Sequence, residues 1–300
     1  MMRLIRQAPI CLIAVLAFKS LGQANQTSAS PKACSATGDL EIQEFRSDVF
    51  DNARKLRVLV PPGYSDQRNL ERLYPVLYLN DGQNLFDICT SIFNPMEWRA
   101  DETVNRLVVE GRVEPLIIVG IDNAGKHERP NEYLPFPDAT LRPYMANVHG
   151  IDYPRFLTQE VMPFVEKKYR VRKGASNTGL GGSSYGGLIT FYVVSHTHNV
   201  FGRVLIESPS LEVMDFAVLK EAANNRDWPG RIYFGGGTDE DPPGSRETIP
   251  GDISKAVRLL RKNGVSRERI FVNITPGHHN EEAWAARLPA ALEFLFPGHP

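Results

Sequence analysis

Ser184 lies in the stretch Gly181-Gly182-Ser183-Ser184-Tyr185-Gly186-Gly187, which contains G-x-S-x-G over residues 182–186. A serine hydroxyl attacks well only where a base takes its proton. In this motif the serine sits on a sharp turn from a strand into a helix, and small residues on either side let the turn lift the hydroxyl clear of the backbone. The surroundings fit that geometry. Asn177-Thr178-Gly179-Leu180 is extended in type, and Leu188-Ile189-Thr190-Phe191-Tyr192-Val193-Val194 is helix-like. The motif also describes a Gly/Ser-rich turn without chemistry, so its partners decide between the two.

The base must be a histidine. His278 and His279 follow the last strand-like run and precede the last helix-like one, and residue type does not separate them. His196 and His198 stand near the end of the helix after Ser184, where an imidazole serves a helix C-terminus. His127 and His149 fall in a long loop, and His299 in the tail. A carboxylate must orient the histidine and stabilise its charged form. Asp239, Glu240 and Asp241 follow the glycine-rich end of the penultimate strand, with Glu207 a rival at another strand end. Serine, acid, histidine is the chain order of an α/β-hydrolase triad. A tetrahedral intermediate needs two backbone donors. These are expected from the amide of Tyr185 and, in the loop after Leu79, the amide of Gln83. Gly82 would let backbone approach a substrate. The plainer alternative there is an ordinary Asp81-Gly82 turn.

The elements that must hold these residues are legible in the hydrophobic pattern. Leu40–Phe45 and Leu56–Val60 alternate apolar and polar, the mark of an antiparallel edge. Tyr74–Leu79 and Pro115–Ile121 are nearly continuous apolar runs, as in strands buried on both faces. Arg203–Glu207, Arg231–Phe234 and Ile270–Ile274 read as further strands. Helical spacing covers Glu102–Arg112, a segment capped by Asp152 with Leu157, Val161, Phe164 and Val165 on one face, Val213–Ala223, Ser254–Asn263, and a final helix capped by Asn280. Strands alternating with helices predict an α/β fold: a mostly parallel sheet covered on both faces, with reacting groups at the C-terminal strand ends. Residues 123–150 form a long loop holding Arg129 and Tyr133. It is either a substrate wall or a surface insertion.

Length and charge narrow the function. Three hundred residues with 42% hydrophobic content can bury a substantial core, and a net charge of −1 with no basic run excludes a nucleic-acid patch. Residues 1–24 combine Arg3 and Arg6, an apolar core from Ile10 to Phe18, and small residues at Gly22 and Ala24. That pattern predicts a signal peptide cleaved after Ala24, too short in its apolar part to span a bilayer comfortably, and an exported, periplasmic or secreted, protein. The rival is a short membrane anchor or a misplaced start. Residues 25–38 read as a flexible lead-in and 39–300 as one folded domain. Of three cysteines Cys11 leaves with the leader; Cys34 and Cys89 form one disulfide or two thiols, both open. No Cys/His cluster has zinc-ligand spacing.

The chain resembles the esterase family of α/β-hydrolases grouped around enterochelin esterases, feruloyl and acetyl-xylan esterases and S-formylglutathione hydrolase. The resemblance runs over roughly residues 55–296. It rests on Tyr74-Pro75-Val76-Leu77-Tyr78 with Asp81-Gly82-Gln83-Asn84-Leu85-Phe86-Asp87, Glu97-Trp98, Asp101-Glu102-Thr103, Arg129 with Asn131-Glu132-Tyr133, Gly182–Gly187, Ser208-Pro209-Ser210, and His279-Asn280-Glu281 with Ala283-Trp284. It implies an α/β-hydrolase fold and a serine-dependent carboxylic ester hydrolase with no metal and no organic cofactor. The site would be Ser184, His279 (the family histidine stands before Asn-Glu) and Glu240, which falls in the family's Gly-Thr-x-acid pattern, with Asp239 and Asp241 as alternatives. Asp81, Gly82, Arg129 and Tyr133 are the candidate substrate-binding residues. The expected substrate is a small-molecule or glycan-linked ester, with no nucleic acid and no stable membrane insertion after signal cleavage. An acyltransferase on the same scaffold, or a non-catalytic carbohydrate- or protein-binding relative, are the alternatives.

Overall fold

The computed structural model describes residues 33–92, 95–138, 147–245 and 248–298. The expected leader, most of the lead-in and His299 lie outside them. Ala33–Pro300 is one compact unit.

Eight strands form one sheet: β1 (Asp39–Ser47), β2 (Asn52–Val60), β3 (Val76–Asn80), β4 (Ile117–Ile121), β5 (Thr178–Ser183), β6 (Arg203–Glu207), β7 (Arg231–Gly237) and β8 (Ile270–Thr275). Their order is β1-β2-β4-β3-β5-β6-β7-β8. β1 pairs antiparallel with β2 from Asp39↔Val60 to Ser47↔Asn52, and β2 pairs antiparallel with β4. All other neighbours are parallel, so their C-terminal ends share one rim.

The continuous apolar runs divide with the period-2 geometry of a strand. Val76, Tyr78, Val204, Ile206, Ile232 and Phe234 join one core layer. Leu77, Leu79, Leu205 and Tyr233 join the other. Helices cover both layers: α1 (Ala100–Val109), α2 (Arg129–Tyr133), α3 (Tyr153–Arg155) running through a π-helical turn at Phe156–Val161 into α4 (Met162–Lys168), α5 (Tyr185–His196), α6 (Val213–Glu221), α7 (Ile249–Lys262) and α8 (Glu281–Leu295). α1 and α8 cover the second layer; α3 to α7 contribute to the first.

Asn280 caps α8, accepting from the Ala283 amide at 3.0 Å. Asp152 makes no such cap and pairs with Arg155 at 3.3 Å instead. α7 begins at Ile249, five residues before the sequence pattern suggests. Pro250 in its first turn and Thr248, whose hydroxyl accepts from the Gly251 amide, start the helix without an apolar signal. No described helix is long and apolar enough to cross a membrane.

Candidate active site

β5 runs into α5 through Ser184, whose backbone stands at φ 57°, ψ −124°. Non-glycine residues enter such regions at a cost of order 1–3 kcal/mol. A Cβ at Gly182 would lie 2.8 Å from the Gly186 backbone, so only glycine lets the turn close. The turn is pinned from outside as well. The Ser184 amide donates to the Glu207 carbonyl at 3.0 Å, and the Ser184 carbonyl accepts from Leu188 and Ser210. The Ser184 and Ser210 hydroxyls are 3.4 Å apart.

Between β8 and α8, His279 Nδ1 lies 2.8 Å from Glu240 Oε2. The Glu240 side chain is fully buried, whereas His279 is one-third exposed. An ionised carboxylate only accepts, so Nδ1 carries the proton and Nε2 is left as the basic nitrogen. Glu240 Oε1 is anchored separately by the Ser208 hydroxyl at 2.6 Å and the Gly237 amide, with Arg287 Nη2 at 3.5 Å.

The other candidates point elsewhere. His278 Nδ1 sits 3.0 Å from the Asp239 carbonyl. Asp239 accepts from the Gly277 amide, and Asp241 accepts from the Ile249 amide at the start of α7. Glu207 faces Arg287 Nε at 3.0 Å rather than a histidine, and burial pushes its carboxyl up to about 8.

Ser184 and His279 line one cavity of about 210 Å3, walled by Trp98, Trp284, Asn84, Glu281, Asp81, Arg129 and Ser183. The rings of Trp98 and Trp284 are 5.9 Å apart. Asn84 Nδ2 donates to Glu281 at 3.3 Å.

The four expected substrate contacts divide. Asp81 and Arg129 line the cavity, but their charges meet each other in a two-pronged pair at 2.7 and 2.8 Å, with Asn123 Nδ2 also on Asp81 at 2.6 Å. This clamp holds Asp81 in the left-handed region at φ 59°. Tyr133 and Gly82 do not face the cavity. Tyr133 is fully buried edge-on to Tyr153, its hydroxyl accepting from the Asp81 amide. Gly82 packs on β4, where a Cβ would lie 2.5 Å from Gly120. Tyr133 thereby supports Asp81 of the wall, and Gly82 the turn that follows it.

Gln83 and Tyr185 are not lining residues, though their neighbours Asn84 and Ser184 are. The Gln83 side chain accepts from the Asn123 amide at 3.2 Å, fixing the turn. Among the described residues neither the Gln83 nor the Tyr185 backbone amide donates a hydrogen bond. Part of the 123–150 loop is ordered as α2, and Phe136–Asp138 border a second cavity of about 430 Å3 with Glu212 and Met214. Residues 139–146 lie outside the described set.

Sequence reasoning assigned no role to Asn84, Trp98, Glu281 or Trp284 in the cavity, or to Ser208 and Arg287 behind Glu240. Arg287 left one signal, an arginine inside the apolar stripe Trp284–Leu288–Ala291 of α8. Cys34 and Cys89 form a disulfide. Asp87 lies beside them, but the bonded sulfurs offer no thiolate to a metal.

The sequence matches the family described as "Putative esterase" over residues 47–295. Known relatives include an uncharacterised protein of Bacillus subtilis, YbbA, 22% identical over 81% of this chain and 92% of that one. Another is an endo-1,4-beta-xylanase/feruloyl esterase of Xylanibacter ruminicola, 22% identical over 86% of this chain and 31% of that larger protein. Among solved structures, a ferulic acid esterase superposes with a TM-score of 0.65 at 21% identity, covering 86% of this chain and 97% of its own. The enterobactin esterase FES of Shigella flexneri, with enterobactin, gives 0.67 at 19% identity, covering 87% and 60%. The fold is that of the α/β-hydrolase esterases, and the chain belongs to the esterase family it matches. Its class is carboxylic ester hydrolase.

Proposed function

We propose that the protein is an exported serine esterase that works through an acyl-enzyme at Ser184. One observation carries this reading: Ser184 stands on a strained strand-to-helix turn and shares a cavity with His279, whose Nδ1 is hydrogen-bonded to the buried Glu240. His279 Nε2 takes the Ser184 proton as the hydroxyl attacks the ester carbonyl. Glu240 stabilises the imidazolium that forms. The Tyr185 and Gln83 amides receive the oxyanion. The imidazolium then protonates the departing alcohol, and water, activated by the same histidine, releases the acid.

The cavity lies below the roughly 300–1,000 Å3 of drug-sized ligand sites. It suits the acyl group alone, with the alcohol side left outside. Two indole rings in the wall, with Asn84 and Glu281 as polar lining, favour a compact aromatic acyl group. Ferulic acid and enterobactin esterases among the structural neighbours support the same class. The Cys34–Cys89 disulfide supports export, since such bonds persist in oxidising compartments.

A fluorophosphonate probe tests the nucleophile. The mature protein should label at Ser184, and Ser184→Ala should lose both label and turnover with its melting temperature kept. Absence of label on folded protein would refute the reading. A panel of p-nitrophenyl, acetyl-sugar, feruloyl and catechol-siderophore esters tests the acyl class. A preference for the short alkyl esters would count against the aromatic assignment.

A further inference from the structure

The turn Ser208-Pro209-Ser210 follows β6 and lies behind Glu240. Ser208 is completely buried and held at φ 39°, a conformation unfavourable for a residue with a side chain. Its hydroxyl has three polar neighbours: Trp284 Nε1 at 2.9 Å, Arg287 Nη2 at 3.3 Å and Glu240 Oε1 at 2.6 Å. An indole N–H and a guanidinium can only donate. They therefore occupy the acceptor side of the Ser208 oxygen. The single hydroxyl proton has one acceptor left, Glu240.

The direction of this hydrogen bond is thus fixed by donor chemistry. Arg287 is itself immobilised, with Nε on Glu207 at 3.0 Å and Nη1 on Thr275 at 3.2 Å. The result is a division of labour within one carboxylate. Oε1 of Glu240 takes the Ser208 hydroxyl and the Gly237 amide, while Oε2 is left to His279.

We infer that Ser208 is a positioning residue for the acid, its hydroxyl aimed by Trp284 and Arg287 so that Glu240 keeps Oε2 turned to His279. Resting on the Ser184–His279–Glu240 reading, it adds a fourth side chain that never touches substrate. The strained backbone is tolerated because burial and these bonds over-determine it.

The test is a cycle of purified variants, with activity counted per fluorophosphonate-titrated site. Ser208→Ala should lower kcat by about ten- to a hundredfold, the range for losing a hydrogen bond to a charged group, with KM little changed. Ser208→Gly relieves the backbone strain yet lacks the hydroxyl, and should lose as much. In a Glu240→Gln background, Ser208→Ala should cost almost nothing more, because Ser208 acts through that carboxylate. Full kcat per titrated site in Ser208→Gly would overturn the inference. So would an equal loss in both backgrounds, which would mean that Ser208 acts independently of Glu240. A fall only in the number of titratable sites would make Ser208 a folding residue and overturn it too. Failure of the underlying triad is read separately, as native turnover in His279→Ala or absence of label at Ser184.

Discussion

The residues that distinguish this site are adjacent pairs whose members face opposite ways. His279 meets Glu240, while His278 meets the Asp239 carbonyl. Glu240 is buried, while Asp241 serves the start of α7. This separation makes the triad assignment testable by neighbour substitution. His279→Ala and Glu240→Gln should each lower kcat on the order of 10^4-fold or more. His278→Ala, Asp239→Asn and Asp241→Asn should keep near-native turnover on the same ester. Greater damage from His278→Ala than from His279→Ala would reassign the base. The functional cost of such precision is visible in the backbone: Ser184, Ser208 and Asp81 all hold positive φ.

At the scale of elements, the cavity wall after β3 is tied down by the segment that precedes β1. Cys34 is bonded to Cys89. The Ser35 hydroxyl accepts from the Ile88 amide and donates to Glu97. Thr37 donates twice to Asp101 at the start of α1. The segment so clamped carries Trp98 of the cavity, whose amide donates to the carbonyl of Asn84 just ahead of it at 2.9 Å. The disulfide closes a span of 55 residues, for which the loss on removal is roughly 2–4 kcal/mol. Cys34→Ser with Cys89→Ser, or mild reduction, should lower the melting temperature and raise KM more than it lowers kcat. An unchanged KM would show that the loop keeps its shape without the clamp.

For the whole molecule, the acidic groups beneath this clamp set a pH dependence of stability. Burial, and next the neighbouring Asp101 carboxyl, hold the Glu102 carboxyl up at about 7 against an ordinary 4.5. A carboxyl with a higher pKa folded than unfolded takes up a proton on folding. Its contribution is therefore most favourable below 4.5 and is lost as pH rises through about 7. Thermal unfolding from pH 4.5 to 8 should show this decline against the other carboxylates, and Glu102→Gln should flatten it and melt higher at pH 8. If the variant melts with the native pH profile, Glu102 is not the group responsible.

What the sequence determined alone was what local pattern can carry. Apolar runs such as Val76–Leu79 and Ile117–Ile121 specified two-faced strands because side chains alternate along extended backbone. The glycines around Ser184 specified a tight turn because nothing larger fits there. Chain order named a serine, a cluster of acids and a histidine pair. The start of α7 at Ile249 escapes the hydrophobic pattern because a cap, the Thr248 hydroxyl on the Gly251 amide, opens it. Tertiary structure alone decided which side chains meet. Glu240 and Asp241 are adjacent in sequence and equal in charge, and only the turn after β7 buries one against His279. Gly82 and Tyr133 look like ligand contacts in sequence, yet close packing against Gly120 and Tyr153 makes them supports. Ser208 leaves β6, whereas Trp284 and Arg287 stand three residues apart on α8. Ser208 and Arg287 meet at Glu240, with Trp284 on the Ser208 hydroxyl, only through three-dimensional packing, because no spacing in the chain relates the β6 exit or the turn after β7 to one face of α8.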